Sequence, residues 1–519
     1  MKRMEPQVNK TTLLFAAALG LALAGCAHIT PEQHAPVRRD IANAELPADI
    51  KLAREGWPDA QWWTAYHDPQ LDALIKQALA SAPTLDVAAA HIGSARSALS
   101  RSAADLGLDV SGYAGANRQR YSGTGLFPAP IGGAWFTAET LRLEARYNFD
   151  WWGKNRAQVA AAVGELNAGR AEYAEAERTL AAAIAQSYFR LQGAWARLAN
   201  NEQLAATQTA LVQDKAKRIA GGLANSDEQR AAEAELSQIR KQHAQLTADI
   251  GREREALRAL IGADSGALAD LKPQPQGSAA YTLAGADSGA PVGAKPQPSG
   301  SALAGLTARP MGSPAHALPA RLGMELLARR PDLQAARWKL EASLSRIDAA
   351  KAAFYPDVNL TGSIGLDTIK LEDLLQSASR TFYLGPTLTL PLFDSRRLDA
   401  QLDGARTGRN ERIAEYNQAV VDAVREVAQD GVQLQGIERQ ISEQAASTNT
   451  ARAQLASAQA RLTHGLADRA AALNAQLALL KQQDADLYLQ QVQLLAEVAL
   501  TNALGGGYRE EAPTATASK

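Results

Sequence analysis

Between Thr140 and Asp150 every second residue is apolar (Leu141, Leu143, Ala145, Tyr147 and Phe149), and the residues between them are polar. Successive side chains of an extended chain point to opposite sides, so the pattern predicts a strand with one apolar and one polar face. After Trp151-Trp152-Gly153 the period changes. Leu180, Ile184, Tyr188, Leu191, Trp195 and Leu198 recur at steps of three and four, the seam of a coiled-coil helix. No proline interrupts residues 154–222. A helix of about 70 residues would reach roughly 100 Å at 1.5 Å per residue, an element that no compact globular domain needs.

The construction occurs twice. Pro83-Thr84-Leu85 reappears as Pro331-Asp332-Leu333, and Leu108-Asp109-Val110 as Pro356-Asp357-Val358, both 248 residues on. Phe149-Asp150 matches Phe393-Asp394 at 244, and Arg218, Gly222 and Leu223 match Arg461, Gly465 and Leu466 at 243. The helical seam carries over too, Ile184, Leu191 and Leu198 becoming Val427, Leu434 and Ile441. The chain is therefore read as a duplicated strand-and-helix unit.

Each repeat predicts the same elements. A first helix covers 69–104 or 319–353, with Asp68 as the N-cap of the former and Pro69 in its first turn. Alternating segments follow at 108–120 and 140–150 in the first repeat, within a hairpin 108–150, and at 357–367 and 381–392 in the second, within a hairpin 357–392. The long helices cover 154–222 and 396–465, and Gly-containing turns send back return helices at 227–262 and 468–505. Two shorter helices end to end equal one long one, so each chain supplies four staves of similar length. The first hairpin's connection, 122–134, is rich in Gly and Pro; the second, 368–380, suits a short helix.

The remaining segments are an extended start (26–68) carrying Trp62-Trp63, a Gly/Ala/Pro/Ser linker (263–318) and a short tail (506–519). The linker repeats itself at a spacing of 23: Gly262-Ala263-Asp264-Ser265-Gly266-Ala267 recurs as Gly285-Ala286-Asp287-Ser288-Gly289-Ala290. Such a composition buries too little apolar surface to order strongly. Residues 1–25 have a basic start and an apolar run ending in Leu23-Ala24-Gly25-Cys26, a secretory signal resembling a bacterial lipobox. That resemblance implies cleavage before Cys26, the only cysteine, and its acylation with diacylglyceride and palmitate.

Composition narrows the function classes. Only 5% of residues are aromatic, which suits long helices rather than a thick core, and a formal net charge of −1 gives no nucleic-acid footprint. The seven histidines show no ligand spacing, and no nucleophile elbow or phosphate loop is present, so no catalytic residue, metal or cofactor is expected.

Alternating segments of about 11 residues have the length of a tilted membrane-crossing strand. A soluble sandwich alternates as well, but isolated hairpins offer no strands for its second sheet. Four strands cannot close a barrel, and open edges are not tolerated in lipid. The chain must then oligomerise: a dimer gives eight strands with a filled interior, a trimer twelve with room for a water-filled lumen.

Taken together, Trp62-Trp63 with Asp68-Pro69-Gln70-Leu71, Phe149-Asp150-Trp151-Trp152-Gly153, Leu327-Ala328-Arg329-Arg330-Pro331-Asp332-Leu333, Ala353-Phe354-Tyr355-Pro356, Pro391-Leu392-Phe393-Asp394 and Leu504-Gly505-Gly506-Gly507-Tyr508 resemble the TolC-type outer-membrane efflux channels, in particular their lipoprotein branch. The resemblance implies a mainly α protein with a transmembrane β part: a homotrimeric, 12-stranded outer-membrane β-barrel continuous with a 12-helix periplasmic α-barrel. It also implies lipid anchoring in the outer membrane, docking by a periplasmic adaptor protein and an inner-membrane efflux pump, and passive export of drugs or small aromatic compounds. Alternatives are the outer-membrane duct of a type I protein-secretion system and a non-conducting structural lipoprotein.

Both long helices end at glycines, so residues 218–230 and 461–474 are expected together at the periplasmic tip. Candidate gate residues are Arg218, Asp227, Glu228, Arg461, Asp468, Arg469 and Asn474, an acid among Asp227, Glu228 and Asp468 pairing with Arg218, Arg461 or Arg469. Asn474 stands where a related channel carries an Asp of an acidic ring. Asp227, Glu228 and Asp468 equally suit ordinary carboxylates of a helix N-terminus. Apolar packing around Leu466 and Leu473 is the uncharged alternative.

Overall fold

The structure, a computed structural model, describes residues 29–32, 35–40, 60–222, 225–263, 329–391 and 394–507. The signal segment, Cys26, most of the extended start, the linker 264–318, the opening of the second repeat and the tail from 508 lie outside the described residues. The elements in chain order are α1 (Pro69–Ser81), α2 (Pro83–Ala104), β1 (Leu108–Arg120), β2 (Trp135–Asn148), α3 (Lys154–Ala220), α4 (Ser226–Leu260), α5 (Pro331–Ala352), β3 (Asp357–Thr368), β4 (Arg380–Thr389), α6 (Ser395–Thr463) and α7 (Arg469–Ala503).

Three boundaries correct the sequence reading. The helix expected over 319–353 does not include residues 329 and 330, which are non-helical, and begins at Pro331, whose ring disfavours helical backbone before it. The helix expected over 69–104 is broken, because Pro83 has no N–H to donate and disfavours helical backbone before it; Ala82 is extended, at φ −71 and ψ 126. The second strand starts at Trp135, five residues ahead of the expected Thr140, because its pairing with β1 continues through Arg120↔Trp135. The alternation that announced the strand is simply weaker there. Residues 368–380 hold two 3-10 turns, Leu371–Asp373 and Ser377–Ser379.

Contacts divide the chain into two units: one of residues up to 39, 90–171 and 334–418, the other of 40–89, 172–333 and 419 onward. The first holds one antiparallel sheet of order β1-β2-β3-β4. At its strand-to-helix junction Asp150 takes a left-handed backbone (φ 43) and its carboxylate accepts from the N–H groups of Asn155 (2.9 Å) and Arg156 (3.0 Å), capping the start of α3. Trp152 stacks on Tyr355 at 4.6 Å and donates from Nε1 to the carbonyl of Pro356 at 2.9 Å. Ile347, Phe354, Leu398 and Leu402 form the apolar cluster of this unit.

The second unit has the larger core. Trp62, Trp63 and Tyr66, a short 3-10 turn, pack with Leu71, Leu74 and Ile75 of α1 and with Ile184, Tyr188 and Leu191 of α3. Leu71, Leu74 and Ile75 are wholly buried, worth about 1.5–3 kcal/mol each. Asp68 caps α1 through Gln70 N–H (2.9 Å) and also accepts the Tyr188 hydroxyl, so one carboxylate starts a helix and ties it to α3. This explains why Trp62-Trp63 and Asp68-Pro69 occur together.

All four long helices end alike. Gly222, Gly262, Gly465 and Gly505 sit at φ +70, +67, +71 and +97. At the last three the wrap-around bonds are complete: Ala263 N–H to Arg258 O (3.1 Å) with Gly262 N–H to Ala259 O (3.2 Å), Leu466 N–H to Arg461 O (2.7 Å) with Gly465 N–H to Leu462 O (3.0 Å), and Gly506 N–H to Thr501 O (3.0 Å) with Gly505 N–H to Asn502 O (2.9 Å).

Candidate functional site

The sheet of the first unit has two chemically distinct faces. Cross-strand partners share a face, so Leu108, Val110, Gly112 and Ala114 of β1 lie level with Tyr147, Ala145, Leu143 and Leu141 of β2, and these with Leu360, Gly362, Ile364 and Leu366 of β3. Val358, Leu360, Gly362 and Ile364 in turn meet Leu388, Pro386, Leu384 and Phe382 of β4. The opposite face carries Asp109, Ser111, Asn117, Arg142, Glu144, Arg146, Asn359, Thr361, Asp367 and Thr387. Leu108, Val110, Leu143, Ile364, Phe382 and Leu384 are all more than half exposed, an apolar sheet surface with nothing over it in the single chain. Among the described residues no helix is long and apolar enough to cross a membrane.

The helix turns belong to the second unit. Here Asp468 caps α7 through Ala471 N–H (2.8 Å) and takes an ion pair from Arg218 of α3. Its carboxyl is held below the usual carboxylate range by that N–H and by the Arg218 guanidinium. Glu228 pairs with Lys215 across the α3–α4 turn (2.9 Å), which lowers its carboxyl too. Asp227 is bound within its own turn by Arg230 (3.1 Å). Lys481 of α7 pairs with Glu235 of α4. Each pair of helices among α3, α4 and α7 is thus joined by a cross-helix ion pair, and α3 and α7 by a second, Arg197 with Asp484 at 3.0 Å.

Arg461 and Arg469 take no ion pair among the described residues. Arg461 instead offers its carbonyl to the turn at Gly465, where its charge also suits a helix C-terminus. Asn474 lines a groove of about 480 Å³ with Gln208, Leu211, Lys215, Glu228 and Lys481. Leu466 is 77% exposed, whereas Leu473 packs beside Leu204, Leu211 and Leu477. Lys215, Glu235 and Lys481 went unseen in the sequence. Lys215 was within reach of it, since Lys215 and Glu228 stand almost equally far from Gly222 and so face each other across a hairpin. Lys481 and Glu235 come from different repeats, and no local spacing relates them.

The outer membrane efflux protein family matches residues 74–263 and 322–506, one segment per repeat. The chain belongs to that family. Multidrug resistance outer membrane protein MdtP of Escherichia coli (strain K12) is 35% identical over 509 residues, covering 96% of this chain and 97% of that protein. MdtQ of Escherichia coli O157:H7 is 34% identical over 500 residues, 94% of this chain and 96% of that one. The crystal structure of the outer membrane protein VceC from Vibrio cholerae superposes with a TM-score of 0.72 at 30% identity, covering 87% of this chain and 100% of VceC. The outer-membrane channel OprN shares the fold, with a TM-score of 0.73 at 24% identity over 92% of this chain and 99% of its own. The two-faced sheet and paired helices are accordingly those of an outer-membrane efflux protein. Its relatives are membrane proteins of transport, not enzymes.

Proposed function

We propose that this chain is the passive exit duct of a tripartite efflux system, a homotrimer whose twelve strands close a barrel in the outer membrane and whose helices form a twelve-stave periplasmic tube. The single observation behind it is the four-stranded sheet, with an exposed apolar face, a charged opposite face and unpaired edges at β1 and β4. In lipid such edges must find partners, and three copies leave a lumen wide enough for water and small solutes. The apolar face then meets lipid, and Arg142, Glu144 and Arg146 line the water path. A periplasmic adaptor protein and an inner-membrane pump would deliver the cargo, drugs or small aromatic compounds; the duct itself needs no catalytic group.

Acylation of Cys26 would add a lipid anchor beside the barrel. Light scattering of the detergent-solubilised protein should give three copies per particle, and planar bilayers should show stepwise conductance. A stable monomer with intact sheet content would exclude the trimer; trimers without conductance would leave a structural lipoprotein. Palmitate labelling should vanish in Cys26→Ser, and persistent labelling would place the acyl chain elsewhere.

A further inference from the structure

The internal duplication fixes the way copies join, not only the fact that they do. The ladders inside one chain obey one transformation. Moving β1 onto β3 by 248 residues and β2 onto β4 by 243 turns Val110↔Ala145 into Val358↔Leu388, Gly112↔Leu143 into Leu360↔Pro386, and Arg118↔Thr137 into Leu366↔Arg380, each an observed pair. The 243 shift is the one that relates Gly222 to Gly465, so the strand register and the long helices repeat together. The first and third ladders are therefore copies of each other.

The second ladder, β2 with β3, has no counterpart within the chain, because β4 and β1 are the sheet's outer edges. Its counterpart is the contact between β4 of one copy and β1 of the next. Resting on the oligomeric barrel proposed above, we infer that these edges pair antiparallel in the register obtained by applying the same two shifts to the observed β2–β3 ladder. Thr140↔Asp367 becomes Tyr383 with Gln119, Leu143↔Ile364 becomes Pro386 with Ala116, Ala145↔Gly362 becomes Leu388 with Ala114, and Arg146↔Thr361 becomes Thr389 with Tyr113.

Chemistry checks the arithmetic independently. A one-residue slip turns every side chain of a strand to the other face. In the inferred register Pro386 and Leu388, on the apolar face of β4, meet Ala116 and Ala114, whose side chains continue the apolar face of β1. Tyr383, Thr387 and Thr389 meet Gln119, Gly115 and Tyr113 on the polar face. A slip of one would set Thr387 beside Ala116 and break both faces at every junction between copies.

Cysteine crosslinking reads the register directly. Directly opposed residues of an antiparallel pair have Cα atoms about 4.5–5.5 Å apart, within disulfide reach, whereas diagonal neighbours stand at about 7–8 Å. In the full-length protein in outer membranes, Tyr383→Cys with Gln119→Cys should oxidise to covalently linked chains about tenfold faster than Tyr383→Cys with Asn117→Cys or with Tyr121→Cys. Each single variant serves as a control, and the one native cysteine, Cys26, is common to all. Faster linkage of either shifted pair overturns the register while leaving the assembly intact. Trimers in which none of the three pairs links overturn the β4–β1 contact. A monomer by light scattering overturns the assembly itself, a separate failure.

Discussion

The two repeats close the ends of their return helices with different chemistry. In the first, the Ser81 hydroxyl donates to the carbonyl of Ile261 at 3.1 Å, and Ala82, the residue before Pro83, is buried at 2% exposure. In the second, the residue before the equivalent Pro331 is Arg330, buried at 3% exposure, and it donates to the carbonyl of Ala503 at 2.9 Å. Arg330 also binds Asp332 (2.8 Å) and Glu426 (3.0 Å), and Arg178 donates to the carbonyl of Asn502 beside it. Burial works against the guanidinium's charge, but Asp332 and Glu426 outweigh it and raise the group above its ordinary value. The last helix carbonyls are therefore met once by a neutral hydroxyl, with Arg258 of the same helix reaching only the carbonyl of Ala263 beyond it at 3.0 Å, and once by two cations brought from other segments to the negative end of the helix. Duplication preserves the backbone need and leaves the chemistry free to diverge.

That difference sets the largest expected effect. Arg330→Met leaves Asp332 and Glu426 without their common partner and should cost about 3 kcal/mol, as breaking a buried ion pair does. Ser81→Ala, removing one neutral hydrogen bond, should cost about 1 kcal/mol. Thermal unfolding of the detergent-solubilised protein ranks them. Equal losses would mean that the charged clamp contributes no more than the hydroxyl.

A second divergence lies higher on the long helices. Ser187 of α3 donates to the Glu253 carboxylate at 2.9 Å, and its counterpart in α6, 243 residues on, is Asp430. Burial, with Glu426 adding to it, pushes the Asp430 carboxyl up to about 6. A carboxyl whose folded value exceeds its unfolded one penalises folding at neutral pH, and the penalty fades as pH falls from about 6 toward 4. Asp430→Asn should therefore stabilise by about 1–2 kcal/mol at pH 7.5 and by only about a third of that at pH 4.5. A gain that is the same at both pH values would refute the titration.

The glycines of the two turns test where the repeats still agree. Gly222 and Gly465 hold nearly the same left-handed φ, with open space where a Cβ would go. Alanine at either costs only the backbone strain, about 1 kcal/mol, so Gly222→Ala and Gly465→Ala should shift unfolding equally. Unequal shifts would expose a difference in the turns beyond their charges.

The backbone of this fold was largely legible because long-range repetition multiplies weak signals. Alternation in Leu141–Phe149 and the seam from Leu180 to Leu198 each name an element, and their recurrence names the architecture. What escaped has a physical pattern. The start of β2 at Trp135 depends on its partner strand, and the break at Ala82 on one proline inside an otherwise helical composition. At the tip, the sequence narrowed the charges but left the partners open: Arg218 holds Asp468, whereas Arg461 turns to its own helix end. Pairs between helices from different repeats, such as Lys481 with Glu235, are set by packing and leave no periodic trace.

The smallest effect concerns those tip charges. The Arg218–Asp468 pair is half exposed, and exposed pairs are worth about 0–1 kcal/mol each, but threefold symmetry would repeat the contact three times. Asp468→Asn keeps an N-cap for α7 and removes only the charge, since Asn caps as well as Asp. If the pair helps hold the entrance closed, Arg218→Ala and Asp468→Asn should each raise single-channel conductance several-fold, and Arg461→Ala should not. Because the Asp468 carboxyl is lowered in the folded protein, the pair is present at neutral pH and is lost only as pH falls through that lowered value. Wild-type conductance should then stay flat from pH 7 to about 4 and rise below it, and the rise should be absent in Asp468→Asn. Conductance of Arg218→Ala equal to that of Arg461→Ala would remove the charges from the gate and leave the apolar contact of Leu473 with Leu204, Leu211 and Leu477 to hold it.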